Sequence, residues 1–267
     1  MLTDYTSFLH LIILSIVQGF SELLPISSSA HLILTNILLN SSYTETFFLT
    51  ILHLGTTLAI VLYFFKDLLN ILRKPKVIIT MLIASIPAAV IGVLLNKYIE
   101  EVLRAPIYIA TSLILVGIIM IITEKFIHEK KIVSTKNTLD DITFKDAIIV
   151  GISQSIALIP GVSRSGITTL TGIYSKMSKD LALSFSFILG IPVLFGSFVF
   201  EFIDTPNALN ILLTKEIIVS IIITGVVGYL SILFLRKYVI KYFLTLFGYY
   251  RIILGIIIGI LIVLNYI

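Results

Sequence analysis

Between Gln18 and His31 the chain gathers an amide, a carboxylate, three consecutive hydroxyls and an imidazole within fourteen residues. Gln18 and Glu22 are four apart, so on a helix they share one face. Two oxygen-bearing side chains placed that way suit a hard divalent cation or a water. Pro25 ends that helix. Ser27, Ser28 and Ser29 then stand at the start of the next one, where hydroxyls and unpaired backbone N–H groups make an anion site. His31 follows within helical reach of Ser28 (i, i+3) and of Ser27 (i, i+4). Histidine in that relation activates a hydroxyl nucleophile or moves a proton to a leaving group, and the shorter spacing favours Ser28.

A second stretch echoes the first: Pro160-Gly161-Val162-Ser163-Arg164-Ser165-Gly166. Gly161 and Gly166 allow backbone to approach a ligand closely. Ser163 and Ser165 flank Arg164, a fixed cation whose fork suits phosphate oxygens. The two stretches are expected to meet in one active site. Two helix N-termini, a hydroxyl cluster, an arginine, a glutamate and a histidine suit a phosphate or diphosphate, and phosphoryl transfer in particular, where catalysis is mainly positioning and charge stabilisation. His53 reads as a packing or hydrogen-bonded helix residue, and His10 and His128 as incidental.

The elements that must hold these groups are apolar. Of 267 residues, 58% are hydrophobic and 13% charged, and the mean hydropathy is +1.10. That composition excludes a soluble domain and implies an all-α integral membrane protein, since its apolar runs reach the roughly 20 residues a helix needs to cross. Spans are expected over Thr46–Phe65, Val77–Leu95, Ile107–Thr123, Leu181–Phe202, Glu216–Leu235 and Tyr249–Tyr266. Residues 7–40 and 143–175 are each broken in the middle by a proline and hydroxyls, and read as re-entrant helical hairpins rather than crossings. Leu-Leu-Pro25-Ile-Ser-Ser-Ser matches Leu-Ile-Pro160-Gly-Val-Ser-Arg-Ser, and His53-Leu54-Gly55 lines up with Ile188-Leu189-Gly190. The chain is therefore read as a single membrane domain of two repeats, about 1–127 and about 143–267. Each is a hairpin plus three transmembrane helices. Three is odd, so the second repeat is expected to be inverted.

The net charge of +4 lies in short loops. It points to the positive-inside rule rather than to nucleic acid. Lys97, Arg104 and Lys215 fall on one face and fifteen basic residues on the other, with Arg164 alone inside a hairpin. The crowded face is expected to be cytoplasmic, with both termini outside. Cysteine is absent, so thiolate metal sites and disulfides are excluded, and no cleaved signal is expected at the N-terminus.

At these residues the sequence resembles the undecaprenyl-diphosphate phosphatase family of membrane phosphatases, linked to bacitracin resistance. The likeness rests on Gln18…Glu22-Leu-Leu-Pro25-Ile-Ser27-Ser28-Ser29-Ala-His31 and on the complete Pro160–Gly166 signature, and covers essentially the whole chain. It implies hydrolysis of a C55 polyprenyl diphosphate to the monophosphate and inorganic phosphate, at the cell membrane, with the site open to the outer face. It also implies catalytic roles for Glu22, Ser28, His31 and Arg164, with Ser27 beside them; the anion site read from the two stretches adds expected substrate contacts from Gln18, Ser27, Ser29, Gly161, Ser163, Ser165 and Gly166. A divalent cation, Mg²⁺ or Ca²⁺, is implied at Glu22 and Gln18, although many members carry Glu where this chain has Gln18. A homodimer stays open, and so does serine or water as nucleophile. The competing reading is a lipid-phosphate flippase or secondary transporter with the same inverted-repeat anion site.

Overall fold

The computed structural model describes residues 5–39 and 46–266. Among them there are twelve α-helices and no strand beyond an isolated bridge between Lys136 and Met177. The first half runs α1 (Tyr5–Leu23), α2 (Ser28–Leu39), α3 (Thr46–Tyr63), α4 (Phe65–Ile71), α5 (Pro75–Tyr98) and α6 (Pro106–His128). The second runs α7 (Phe144–Ile156), α8 (Arg164–Tyr174), α9 (Lys179–Asp204), α10 (Ala208–Leu212), α11 (Lys215–Phe234) and α12 (Phe243–Val263).

All six apolar runs become helices. Five are long and apolar enough to cross a membrane, and α3 with α4 makes a sixth, bent by 78°. Their outward faces carry Leu62, Val93, Leu94, Ile222 and Ile253, all exposed, as a lipid-facing surface requires. The interruptions also appear where the prolines stand. Helices α2, α7 and α8 have 12, 13 and 11 residues. At 1.5 Å per residue they reach about 16–20 Å, short of the roughly 30 Å hydrocarbon core. Each pairs with its hairpin neighbour, α1 with α2 and α7 with α8.

Several helix contacts recur when the halves are exchanged, although α8 packs on α9 without an equally extensive contact between α2 and α3. α1 packs on α11 as α7 packs on α5, and α3 packs on α11 as α9 packs on α5. α3 meets α9, and α6 meets its counterpart α12. The α6–α12 contact is close because glycine lies on both sides: a Cβ at Gly117 would sit 2.8 Å from the Gly248 carbonyl oxygen, and one at Gly248 would sit 2.9 Å from that of Gly117. Small residues serve this purpose where the surrounding lipid supplies no hydrophobic drive. A buried core including Leu23, Leu24, Ile26, Val162, Leu170 and Phe187 surrounds the two hairpin tips.

The basic loops lie together at one end. Lys74 pairs with Asp140, Lys76 donates to the Asp140 carbonyl at 2.6 Å, and Arg236 pairs with Asp180 at 2.6 Å. Lys136 bonds both Asp146 at 2.6 Å and the Ser175 carbonyl at 3.0 Å, clamping the start of α7 to the end of α8. One residue corrects the sequence count. Arg251 is not a loop residue but lies within α12 and is fully buried. The crowded face keeps fourteen of its fifteen basic residues.

Candidate active site

Each hairpin turns on a strained serine. Helix α1 stops at Leu23, just before Pro25, and Ser27 takes φ 74°. The second turn puts Ser163 at φ 72°. Side chains other than glycine rarely hold positive φ, at a cost of about 1–3 kcal/mol each. Both serines cap the helix they begin. Ser27 Oγ accepts the Ala30 N–H at 3.4 Å, and Ser163 Oγ accepts that of Gly166 at 3.2 Å. Ser27 also meets Ser29 Oγ at 3.1 Å, as Ser163 meets Ser165 Oγ at 3.3 Å. Ser27-Ser28-Ser29 thus corresponds to Ser163-Arg164-Ser165. Gly161 is the extra residue of the second turn, at φ 95°.

The two turns are bonded to each other. The Gly161 N–H donates to Ser27 Oγ at 3.1 Å, and Ser165 Oγ donates to the carbonyls of Glu22 at 3.3 Å and Leu24 at 3.4 Å. Behind them lies Arg251. Its Nη1 donates to the Pro25 carbonyl at 3.1 Å, and its Nη2 to those of Gly161 at 2.5 Å and Val162 at 2.9 Å. Sequence reasoning missed it by assigning it to a loop. The available signal was a lone guanidinium in an otherwise apolar run, which by default marks function at membrane depth.

Glu22, only 6% exposed, is the junction. Its Oε1 accepts Arg164 Nη2 at 2.8 Å, and its Oε2 accepts Ser28 Oγ at 2.5 Å and Gln18 Nε2 at 3.4 Å. His53 Nε2 stands 3.5 Å from Oε2, closer to the chemistry than a packing residue. Arg164 Nη1 donates to the Ser186 carbonyl at 2.9 Å, while its buried Nε has no partner among the described residues. Room for the guanidinium comes from Gly190 on α9, where any Cβ would overlap it. By helix geometry the N–H groups of Ser28, Ser29, Arg164 and Ser165 have no carbonyl four residues back. Two positive helix ends therefore converge beside Glu22.

The helical spacing pairs Ser28 with His31, but the structure gives Ser28 to Glu22. The imidazole turns to the other side. His31 Nδ1 lies 2.7 Å from the Ser27 carbonyl and Nε2 lies 2.6 Å from the Tyr250 hydroxyl. Competition explains the difference, because an ionised carboxylate is a stronger acceptor for the serine proton than a neutral ring nitrogen. Ser27 is 2% exposed, and its oxygen already accepts two backbone N–H groups. Ser28, by contrast, donates to Glu22, and its oxygen accepts no N–H group among the described residues.

A divalent cation such as Mg²⁺ or Ca²⁺ needs oxygen donors. Gln18 Oε1 is buried with no partner among the described residues, and the Nε2 of the same amide faces the Glu22 carboxylate. One carboxylate and one amide oxygen suit a cation that takes its remaining ligands from phosphate oxygens and water, as Mg²⁺ commonly does.

Comparison with known proteins agrees with this chemistry. A family model described as bacitracin resistance protein BacA matches residues 11–257. A protein of Thermodesulfovibrio yellowstonii named undecaprenyl-diphosphatase is 37% identical over 253 residues, covering 94% of this chain and 95% of that protein. One of the same name from Moorella thermoacetica is 37% identical over 257 residues, covering 92% and 95%. Undecaprenyl-diphosphatase 1 of Shouchella clausii is 36% identical over 269 residues, covering 94% and 95%.

Proposed function

The chain belongs to the bacitracin resistance protein BacA family, and we propose from its site how it carries out the reaction for which its relatives are named. It is a membrane hydrolase that converts undecaprenyl diphosphate to the monophosphate and inorganic phosphate, returning the lipid carrier to cell-wall glycan synthesis. One observation carries the residue assignment. A single buried carboxylate, Glu22, holds the Ser28 hydroxyl of one hairpin and the Arg164 guanidinium of the other.

In our reading the terminal phosphate lies against the two helix N-termini, taking N–H bonds from Ser28, Ser29, Arg164 and Ser165 and a further bond from the free Arg164 Nε. Ser163 and Gly166 hold the second of these ends in shape, and Gly161 with Ser27 locks the turns together. Glu22 draws the proton from Ser28, whose oxygen attacks the terminal phosphorus. Arg164 moves from Glu22 toward the charge that develops on the phosphoryl oxygens. The lipid monophosphate leaves with its charge already developed and needs no proton. Water then cleaves the phosphoserine, with His31 Nε2 accepting its proton and Glu22 returning one to Ser28. Gln18 and Glu22 are the residues that would hold Mg²⁺ or Ca²⁺. When bound, the ion supplies neutralisation of diphosphate charge. The site is read as open to the outer face of the cell membrane with both termini outside, which the placement of the basic loops at one end supports. A carrier would use the anion site but has no need of the Ser28–Glu22 pair.

Phosphate release from polyprenyl diphosphate by the purified protein in detergent tests this directly. Wild type should turn over, lose activity to a chelator and recover it with added Mg²⁺ or Ca²⁺. Glu22→Gln and Ser28→Ala should each be nearly inactive, and the double variant little worse than either single, as for residues acting as a unit. A fully active Ser28→Ala protein would move the attack to water.

A further inference from the structure

We propose that Tyr250 is a positioning residue for His31, holding the imidazole in the tautomer that keeps its lone pair on Nε2. Three contacts carry this. His31 Nδ1 is 2.7 Å from the Ser27 carbonyl oxygen. A carbonyl can only accept, so Nδ1 must carry a proton. The neutral ring then has its lone pair at Nε2, and the partner there, 2.6 Å away, is the Tyr250 hydroxyl, which donates to it. The two rings are also nearly parallel, with 7° between planes and centroids 5.7 Å apart. One hydrogen bond to Nδ1 would leave the ring free to be displaced by any competing donor at its far edge. With Tyr250 both edges are held.

Tyr250 suits the charged ring as well. When a proton arrives at Nε2, the phenol hydroxyl turns away and its oxygen accepts the new Nε2–H. The phenol stays neutral throughout, and no other group changes its proton count. Tyr250 is 42% exposed, so its hydroxyl can turn outward without being buried unpaired. It follows Tyr249 on α12 and precedes Arg251, which pins the same hairpin turns. One helix therefore fixes both the turns and the histidine. The sequence offered no signal for this, since His31 and Tyr250 are 219 residues apart. The inference rests on the role given to His31 above, but the contact can be tested without activity.

The experiment is ¹⁵N NMR of histidine-labelled protein at alkaline pH, with the His31 signals assigned from a His31→Asn variant, alongside steady-state kinetics. In the wild type His31 should show a protonated Nδ1 and a hydrogen-bonded, unprotonated Nε2. Tyr250→Phe, which keeps the ring, should move the Nε2 resonance to that of an unbonded nitrogen. It should also lower kcat by about 10- to 100-fold, less than the roughly 10²–10⁴-fold of a whole general acid–base contribution, with KM within about twofold. Tyr250→Leu should fall in kcat by a similar factor, since the hydroxyl is what matters. A wild-type His31 protonated at Nε2 would overturn the proposal, and so would a Tyr250→Phe spectrum identical to wild type. If instead His31→Asn itself keeps full activity, the role of His31 in the reaction fails, whatever the spectra show.

Discussion

Glu22 shows how a single side chain is set by its competitors. It accepts from a serine, an amide and a guanidinium, with a histidine beside it. A buried carboxylate with fewer donors would be costly at this depth. Arg164 balances it and keeps a buried Nε with no partner among the described residues. Lysine would keep the charge there but not the fork, so it could not bond Glu22, Ser186 and phosphate at once. Arg164→Lys is therefore expected to lower kcat/KM by about 2–4 kcal/mol of transition-state stabilisation, by analogy with loss of an oxyanion donor. Phosphate-release kinetics on a monodisperse preparation measure it, and activity near wild type would take Arg164 out of the mechanism.

At the scale of elements, three of the four hairpin helices, α2, α7 and α8, are short, and the tips need support from outside the hairpins. Besides Gly161, their turns carry two non-glycine residues at positive φ, Ser27 and Ser163, and such strain persists only where surrounding contacts over-determine it. Arg251 is the main contact of that kind, reaching both turns from α12 through three carbonyls. Arg251→Met would fill the space and leave buried acceptors without donors, at about 1–3 kcal/mol for each. We expect a marked drop in melting temperature, together with loss of turnover even at temperatures where the variant stays folded, because Ser28 and Arg164 would no longer be held across the junction. Thermal unfolding in detergent with parallel kinetics checks this. An unchanged melting temperature would mean that the turns are held by their own caps.

For the whole molecule, the question is which end faces the cytoplasm. Fourteen basic residues crowd the end formed by the loops around Lys74, Lys131, Lys176 and Arg236, against Lys97, Arg104 and Lys215 elsewhere. That imbalance predicts a cytoplasmic loop at Ser134 and an outer connection at Asn210, both exposed. Ser42, the other natural outer probe, lies outside the described residues. The chain has no cysteine, so Ser134→Cys and Asn210→Cys each introduce a unique thiol. An impermeant thiol reagent applied to intact cells should label Asn210→Cys and spare Ser134→Cys. The reverse pattern would turn the protein over in the membrane, with its active site facing inward.

What the amino-acid sequence determined by itself was local. Run lengths of apolar residues decide that the helices cross a membrane, because the hydrocarbon core demands a certain length. Pro25 and Pro160 with their serines decide where two runs break, because a proline cannot continue the ladder and a serine caps the helix that follows. Both clusters of site residues were legible for the same reason, each lying within a few turns of chain. Tertiary structure decided the partners. Glu22 and Arg164 are 142 residues apart, His31 and Tyr250 are 219 apart, and Pro25 and Arg251 are 226 apart. Helical spacing puts Ser28 and His31 on one face, but a shared face does not choose a hydrogen bond. That choice fell to whichever acceptor and donor the packing of α1, α8, α9 and α12 brought closest, and at low dielectric the charged partners prevailed.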